Sequence, residues 1–410
     1  MRIAIVGSGI AGLGAAHFLA HVHDVHVFEA DTRAGGHANT IVHRDGSGVE
    51  IPVDTGFLVH SRENYPLLVR LFDELGVETT STTMSLSVSC DRCGIEYSGA
   101  RPLAQLGNLA GLQLVRLFGE IVRFAMRAER QVRPDQTLAQ FIDEGDYSPH
   151  FERHFLLPLT AALWSTSATA TRDFPAAHVI GFMAHHGMLR LRRFTWRTIV
   201  GGSRTYVDRL VAGLPNGVRL ATPVEQITRF DDRVEIRVAG VMETFDQVIL
   251  ACHADQALRL LSDPSPDEQR ILGAIPFTTN PTVLHTDTAL LPRRRGAQAA
   301  WNYRTRDCRI DEPSVTVTYD VSRLQHLPGP ERYLVTLNRD KLIDPERVLA
   351  RMDYSHPRYT FDMLAAQRQM PTIDGVRRTW YCGAWRGFGF HEDGLRSGHD
   401  VAVALGGGWR

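Results

Sequence analysis

The stretch Arg2-Ile3-Ala4-Ile5-Val6-Gly7-Ser8-Gly9-Ile10-Ala11-Gly12 decides the fold. Its first residues have the apolar run of a short buried strand, and Ala15, Ala16, Leu19 and Ala20 continue after the glycines as a helical pattern. Val25 to Phe28 form a second strand pattern that ends on Glu29. Glycines spaced GxGxxG between a strand and a helix, with an acid 22 residues beyond the first of them, make the dinucleotide-binding fingerprint. Gly7 makes the tight turn, Gly9 lets backbone approach a pyrophosphate, and Gly12 permits close packing of helix on strand. Ile10 and Ala11 open the helix, whose free N–H groups and positive dipole end attract phosphate. Glu29, followed by Ala30, accepts from both ribose hydroxyls and so disfavours a 2′-phosphate.

Beyond Glu29 come Arg33-Ala34-Gly35-Gly36-His37 and, after a short strand, Val53-Asp54-Thr55-Gly56-Phe57. Arg33 offers a guanidinium to a phosphate or ribose, and paired glycines let the chain pass close beneath a flat ring. The pattern resembles the arginine-x-glycine-glycine signature of the flavin amine oxidase and phytoene desaturase superfamily, with His37 where an arginine is usual. That resemblance implies FAD, held non-covalently in a Rossmann-like domain of the glutathione-reductase type, with Thr55, Gly56 and Phe57 beside it. No second GxGxxG with strand context follows, since Gly201-Gly202-Ser203 lacks the third glycine. A single dinucleotide site leaves none for NAD(P)H, so electrons are expected to come from the substrate.

The 410 residues carry 45 Lys+Arg against 46 Asp+Glu, a net charge of −1. That balance argues against a chain built to neutralise nucleic-acid phosphates. With 43% apolar and 22% charged residues the chain can bury a large core, and its length predicts two domains or one interleaved unit. The longest uncharged apolar-rich stretches, residues 102–115 and 155–171, are too short to span a membrane. The chain opens directly on a strand pattern, and a cytoplasmic location is expected. Five scattered cysteines do not make a secreted disulfide framework. Cys90 and Cys93 form a lone CxxC with no second pair at zinc-site spacing; a turn between two strands, and no metal, is the expectation.

An α/β architecture with a discontinuous FAD-binding domain is expected, drawn from residues 1–56, 199–255 and 371–410. Residues 245–252 read as a buried strand resembling the superfamily's middle flavin segment, which implies that backbone near Val224 meets the adenine. In the C-terminal piece a strand over residues 379–384, including Gly383, precedes a helix beginning at Gly394. Its N-terminus, with Asp393, Gly394, Leu395 and Ser397, is expected to face a flavin edge. Residues 57–198 and 256–370 are assigned to a mixed-sheet substrate-binding domain with a helical cap around 103–195. Within that cap Leu106, Leu109, Leu112, Leu117, Ile121 and Phe124 lie opposite Arg116, Glu120, Arg123 and Arg127. This is one amphipathic helix, or two broken near Gly107 and Gly111, packed on the core or docked on lipid.

Ser87-Val88-Ser89-Cys90, Trp196-Arg197-Thr198, Trp301-Asn302-Tyr303, Tyr354-Ser355-His356-Pro357 and the run from Gly387 to Gly398 narrow the resemblance. Together they look like one bacterial group of flavoproteins encoded beside cyclopropane-fatty-acid-synthase-like methyltransferases. The group is related to flavin-dependent desaturases of furan fatty acid pathways and, more distantly, to polyunsaturated fatty acid double-bond isomerases. It implies an FAD-dependent oxidoreductase that desaturates an apolar, acyl-chain-bearing substrate by hydride transfer to flavin N5. A membrane surface or a lipid methyltransferase is the implied macromolecular contact. Val321-Ser322 depart from the methionine-asparagine expected there, which changes the substrate if that segment lines the pocket. An amine or amino-acid oxidase, a redox-neutral isomerase and a non-catalytic flavin-bearing partner of a methyltransferase stay open.

Lys341 is the single lysine, so 44 of the 45 Lys+Arg are arginine. It follows a strand pattern in a polar turn, the wrong setting for the lysine that many amine oxidases of the superfamily hold near N5. His285, in Pro281-Thr282-Val283-Leu284-His285, stands near that place and is the candidate to face the flavin; a locally bonded strand histidine is the alternative. His391 and Asp393 are candidates for acid–base work, with Asp393 or Glu392 capping the helix as the other reading. Trp385 and Phe388 are expected to wall the substrate channel.

Overall fold

The structure, a computed structural model, describes residues 1–99, 110–190, 194–309 and 316–409. Arg2–Val6 is the centre of a five-stranded parallel sheet, flanked by Asp24–Phe28 and Gln247–Leu250, with Val218–Arg219 and Thr379–Tyr381 at the edges. Ile3, Ala4 and Ile5 are fully buried because helices cover one face of this sheet and the antiparallel strands Val224–Arg229, Val234–Val238 and Val241–Phe245 cover the other. Its strands come from segments more than 200 residues apart, so the sheet closes only when the chain ends meet its middle.

The first helix, Ile10–Leu19, crosses the C-terminal helix, His391–Ala404, at a distance that only glycine allows. A Cβ on Gly398 would lie 2.3 Å from the Ala11 carbonyl, and one on Gly14 would lie 2.6 Å from Leu395. The helix Pro66–Leu75, which sequence places with the substrate portion, packs instead against the C-terminal helix, and its Leu68, Leu71 and Phe72 share a core with Ile3 and Ile5. The Glu392 carboxylate accepts from the Leu67 and Leu68 amides, both at 3.0 Å, and so caps that helix from a distant segment. Glu392→Ala is expected to cost about 1–2 kcal/mol and to lower the thermal midpoint. An unchanged unfolding curve would contradict this role.

A seven-stranded mixed sheet faces the first, ordered from Val348–Pro357 through Phe277–His285, Leu334–Leu337, Val317–Asp320, Trp301–Thr305 and Leu86–Cys90 to Glu96–Ser98. Helices including Ala110–Gln131, Leu157–Trp164 and Ala176–His185 cap it. Ala110–Gln131 runs without a break at Gly111, while the expected break near Gly107 lies outside the described residues. Its Leu114, Leu117 and Phe124 are buried against the core. Cys90 and Cys93 do bound a turn between two strands. Folding also brings His154 and Cys308 beside them, so that four side chains which could hold a metal ion meet here.

Candidate active site

A cavity of about 550 Å³ begins where the parallel strands end, at Gly7, Glu29 and Ala251, and runs beneath the seven-stranded sheet into the cap. Ligands of open parallel sheets bind at this carboxyl edge. Gly7 has a φ of +107°, and a Cβ there would meet the Ala251 carbonyl oxygen at 2.8 Å. Gly9 is different: a Cβ on it would touch no protein atom within 4 Å, so its backbone is open to the cavity. The Glu29 carboxylate is held in place, one oxygen accepting from the Ser8 amide and hydroxyl at 2.9 and 2.6 Å and the other from the Asp31 amide at 2.9 Å.

Arg33 Nη1 and His37 Nε2 are buried on this cavity without a hydrogen-bond partner. Burying such atoms unsatisfied is costly, so a polar ligand group belongs against them. His37 stacks on Tyr354, ring centroids 4.8 Å apart, and burial holds its pKa well below the ordinary histidine value. It is a neutral imidazole where a superfamily arginine would carry charge. The open Gly9 backbone, the fixed acid and the orphaned Arg33 donor fit the pyrophosphate and ribose of FAD.

Most of the sequence-predicted cofactor residues line the cavity, including Gly35, Gly36, Thr55, Gly56, Phe57 and Gly383. Gly12, Ala30, Val224, Asp393, Gly394, Leu395 and Ser397 do not. Gly12 packs helix on strand, as its spacing predicts, whereas Ala30 is exposed and Val224 turns into the core beside Ile227. The C-terminal helix spends its first turns on internal bonds. Asp393 accepts from the Phe390 amide at 3.0 Å, Gly394 abuts Ile10, and Ser397 accepts from the Gly383 amide at 2.9 Å. Asp393 is therefore the helix cap and not a residue of the cavity wall.

His285 is a second correction. Alternation along Phe277–His285 places Thr282 and Leu284 on the face shared with the cavity residues Tyr319 and Leu337, and His285 on the opposite face. There its Nε2 bonds Thr336 at 2.8 Å and its Nδ1 accepts from the Asp287 amide at 3.1 Å. Fully buried and locally satisfied, it does not face the flavin site. Trp385 does line the cavity, but Phe388 packs against His178 and Phe182 outside it, and Phe390 takes the place predicted for Phe388. The Val321-Ser322 departure also falls outside the cavity, in a short helix whose Gln325 bonds Asp54.

His391 is retained. Its ring stacks on Phe57 at 3.7 Å, Nε2 lies 3.1 Å from the Tyr206 hydroxyl, and burial, with His60 nearby, pushes its pKa down to about 3. It holds position as a neutral ring and takes up a proton only in strong acid. Flavin reduction by substrate is accordingly expected to show no inflection between about pH 5 and 8 that His391→Phe removes. Such an inflection, seen by stopped-flow absorbance, would restore a proton-transfer role.

The inner part of the cavity is a chamber of Met84, Leu163, Trp164, Phe182, Met188, Trp196, Trp301, Tyr319 and Leu337, with Tyr65 and His186 at its wall. Sequence reading missed most of it. These residues come from separate segments and carry no local motif; only the order of the sheet and cap unites them.

A glycine-turn nucleotide cradle opening into an apolar chamber defines a flavin-dependent oxidoreductase. The model of the family "Flavin containing amine oxidoreductase" matches residues 10–303, and the chain belongs to that family as an FAD-dependent enzyme. Its fold is similar to that of a conjugated-linoleic-acid-producing (CLA-producing) fatty acid isomerase from P. acnes, at 16% identity and a TM-score of 0.67 with 98% of each chain covered. Cyclohexylamine oxidase from Brevibacterium oxydans is similar at 15% identity and a TM-score of 0.69, again over 98% of both chains. A putrescine oxidase matches at 14% identity and a TM-score of 0.67 over 99% of each.

Proposed function

We propose that this FAD-dependent oxidoreductase dehydrogenates an apolar, acyl-chain-bearing substrate, with FAD held non-covalently. The chamber is the observation that carries the reading. Among the described residues lining the cavity the only carboxylates are Glu29, fixed at the nucleotide end, and Asp353, on an exposed part of its strand. Neither belongs to the chamber, so no carboxylate there pairs a substrate ammonium, and the Met, Leu and aromatic walls match a hydrocarbon chain.

FAD, when bound, supplies the hydride acceptor. The chain's own residues exclude water and orient the substrate. Trp164 and Trp385 spend their indole N–H groups on the Phe388 and Cys252 carbonyls, both at 3.0 Å, which leaves their rings as apolar wall. Trp301, which lines the chamber, has a buried Nε1 without a hydrogen-bond partner and is a candidate donor to an acyl oxygen. Anaerobic mixing with fatty acids or acyl esters is expected to bleach the flavin, and mono- and diamines are expected not to. Trp301→Phe is expected to weaken substrate binding about tenfold, the worth of roughly one hydrogen bond. Bleaching by amines alone would overturn the reading, and an acyl product of unchanged mass would indicate isomerisation.

A further inference from the structure

Far from this cavity, three cysteines and a histidine converge. Cys90 ends the strand Leu86–Cys90, Cys93 follows in the turn, Cys308 lies in the loop after Trp301–Thr305, and His154 sits on a π-helical turn, Glu152–Leu156, of the cap. Their four ligand atoms all lie within 4.8 Å of one another. None of these residues lines the flavin cavity.

We propose that this cluster is a structural zinc site of Cys₃His type. Tetrahedral zinc with Zn–S near 2.3 Å and Zn–N near 2.05 Å sets its ligand atoms roughly 3.5–3.8 Å apart. Cys93 Sγ and His154 Nε2 are 3.4 Å apart, close to that spacing. The second shell is built as well. His154 Nδ1 lies 3.1 Å from the His150 carbonyl oxygen, a bond that puts the proton on Nδ1 and leaves the Nε2 lone pair for a metal. Gly94, at φ +69°, turns the chain immediately after Cys93.

Three thiolates around Zn²⁺ carry one net negative charge; Arg153 lines the shallow pocket over the cluster, together with Arg92 and Arg309, which both pair with Asp307. Cys93 is exposed, which provides the route for the ion. Four protein ligands leave no open position, so the ion is structural. It ties the outer hairpin of the seven-stranded sheet, the neighbouring loop and the cap to one point. The π-turn accounts for the aim of His154, because the extra residue in that turn rotates the side chain out of the regular helical register.

The test is elemental analysis of the full-length FAD-loaded protein purified under reducing conditions with zinc supplied. One zinc per chain is expected, falling to near zero in Cys308→Ser and His154→Ala while flavin content is kept. If those variants do not fold, the metal-stripped wild type is titrated anaerobically with cobalt(II). Intense ligand-field absorption to the red of the flavin bands, lost on adding zinc, supports a tetrahedral thiolate site. Zinc that persists in both variants, a protein that takes up neither ion, or a native Cys90–Cys93 disulfide would each overturn the proposal.

Discussion

Gly12→Ala is expected to yield a protein without FAD. A Cβ at this position would lie 2.0 Å from the Gly7 carbonyl oxygen, in the fingerprint turn itself, and 3.0 Å from Ala251 Cβ, at the end of the neighbouring strand. Neither atom ends a flexible side chain, so the first helix must move off the sheet and carry its N-terminus away from the phosphate position. Overpacking of this kind costs about 3 kcal/mol. Gly9→Ala is the informative contrast, since its Cβ meets no protein atom within 4 Å and points into open space. That variant should unfold like the apoprotein of the wild type yet bind FAD poorly. Flavin content of the purified proteins and thermal unfolding measured without FAD separate the two. A Gly12→Ala protein that is yellow and of wild-type stability would refute the packing argument.

Glu268→Leu is expected to destabilise the fold by about 3 kcal/mol, because it removes the bidentate counter-ion of a buried arginine and leaves it only Asp263, 3.1 Å from Nε. The Arg229 side chain is 0% exposed and Glu268 3%, and the guanidinium engages both carboxylate oxygens. Glu268 also accepts from the Tyr381 hydroxyl at 2.6 Å and the Ser265 amide at 2.7 Å. The knot therefore joins the strand Val224–Arg229, the helix Pro266–Gly273 and the edge strand that leads to Gly383. Burial pushes the Glu268 pKa up, but the bonds from Arg229, Tyr381 and Ser265 outweigh it and hold the group at about 2, below its ordinary 4.5. A depressed carboxyl pKa stabilises the fold above the unfolded value, and that contribution is lost as pH falls from 4.5 toward 2. Urea unfolding should show the gap between wild type and Glu268→Leu narrowing over that window. A gap independent of pH would mean that the carboxylate charge contributes nothing.

The nucleotide half of the site was legible because its parts are close in sequence. Turn, helix start and ribose acid fall between Gly7 and Glu29, and Arg33 to His37 follow directly, so spacing alone places them. Errors began where one residue changes the answer. On the strand ending at His285, alternation makes Leu284 face the cavity and His285 turn away, and only the pairing register tells them apart. Gly389, at φ +93°, reorients the chain between Phe388 and Phe390, so the ring predicted for the chamber packs behind it. Gly394 and Gly398 look like a cofactor-binding run, yet the first helix lies against them, and close approach by a helix selects glycine as readily as approach by a flavin.

By itself the sequence determined the parallel sheet and the glycine turn at its carboxyl edge, since those depend on turn geometry within one βαβ unit, while FAD and the place of Arg33 were expected from the family resemblance. The aromatic chamber and the partners of the CxxC turn were decided only by tertiary structure. His154 is 61 residues from Cys93, and the chamber walls are drawn from the inner strands of the seven-stranded sheet and the cap. Such sets exist only after sheet order and helix packing have brought distant segments together.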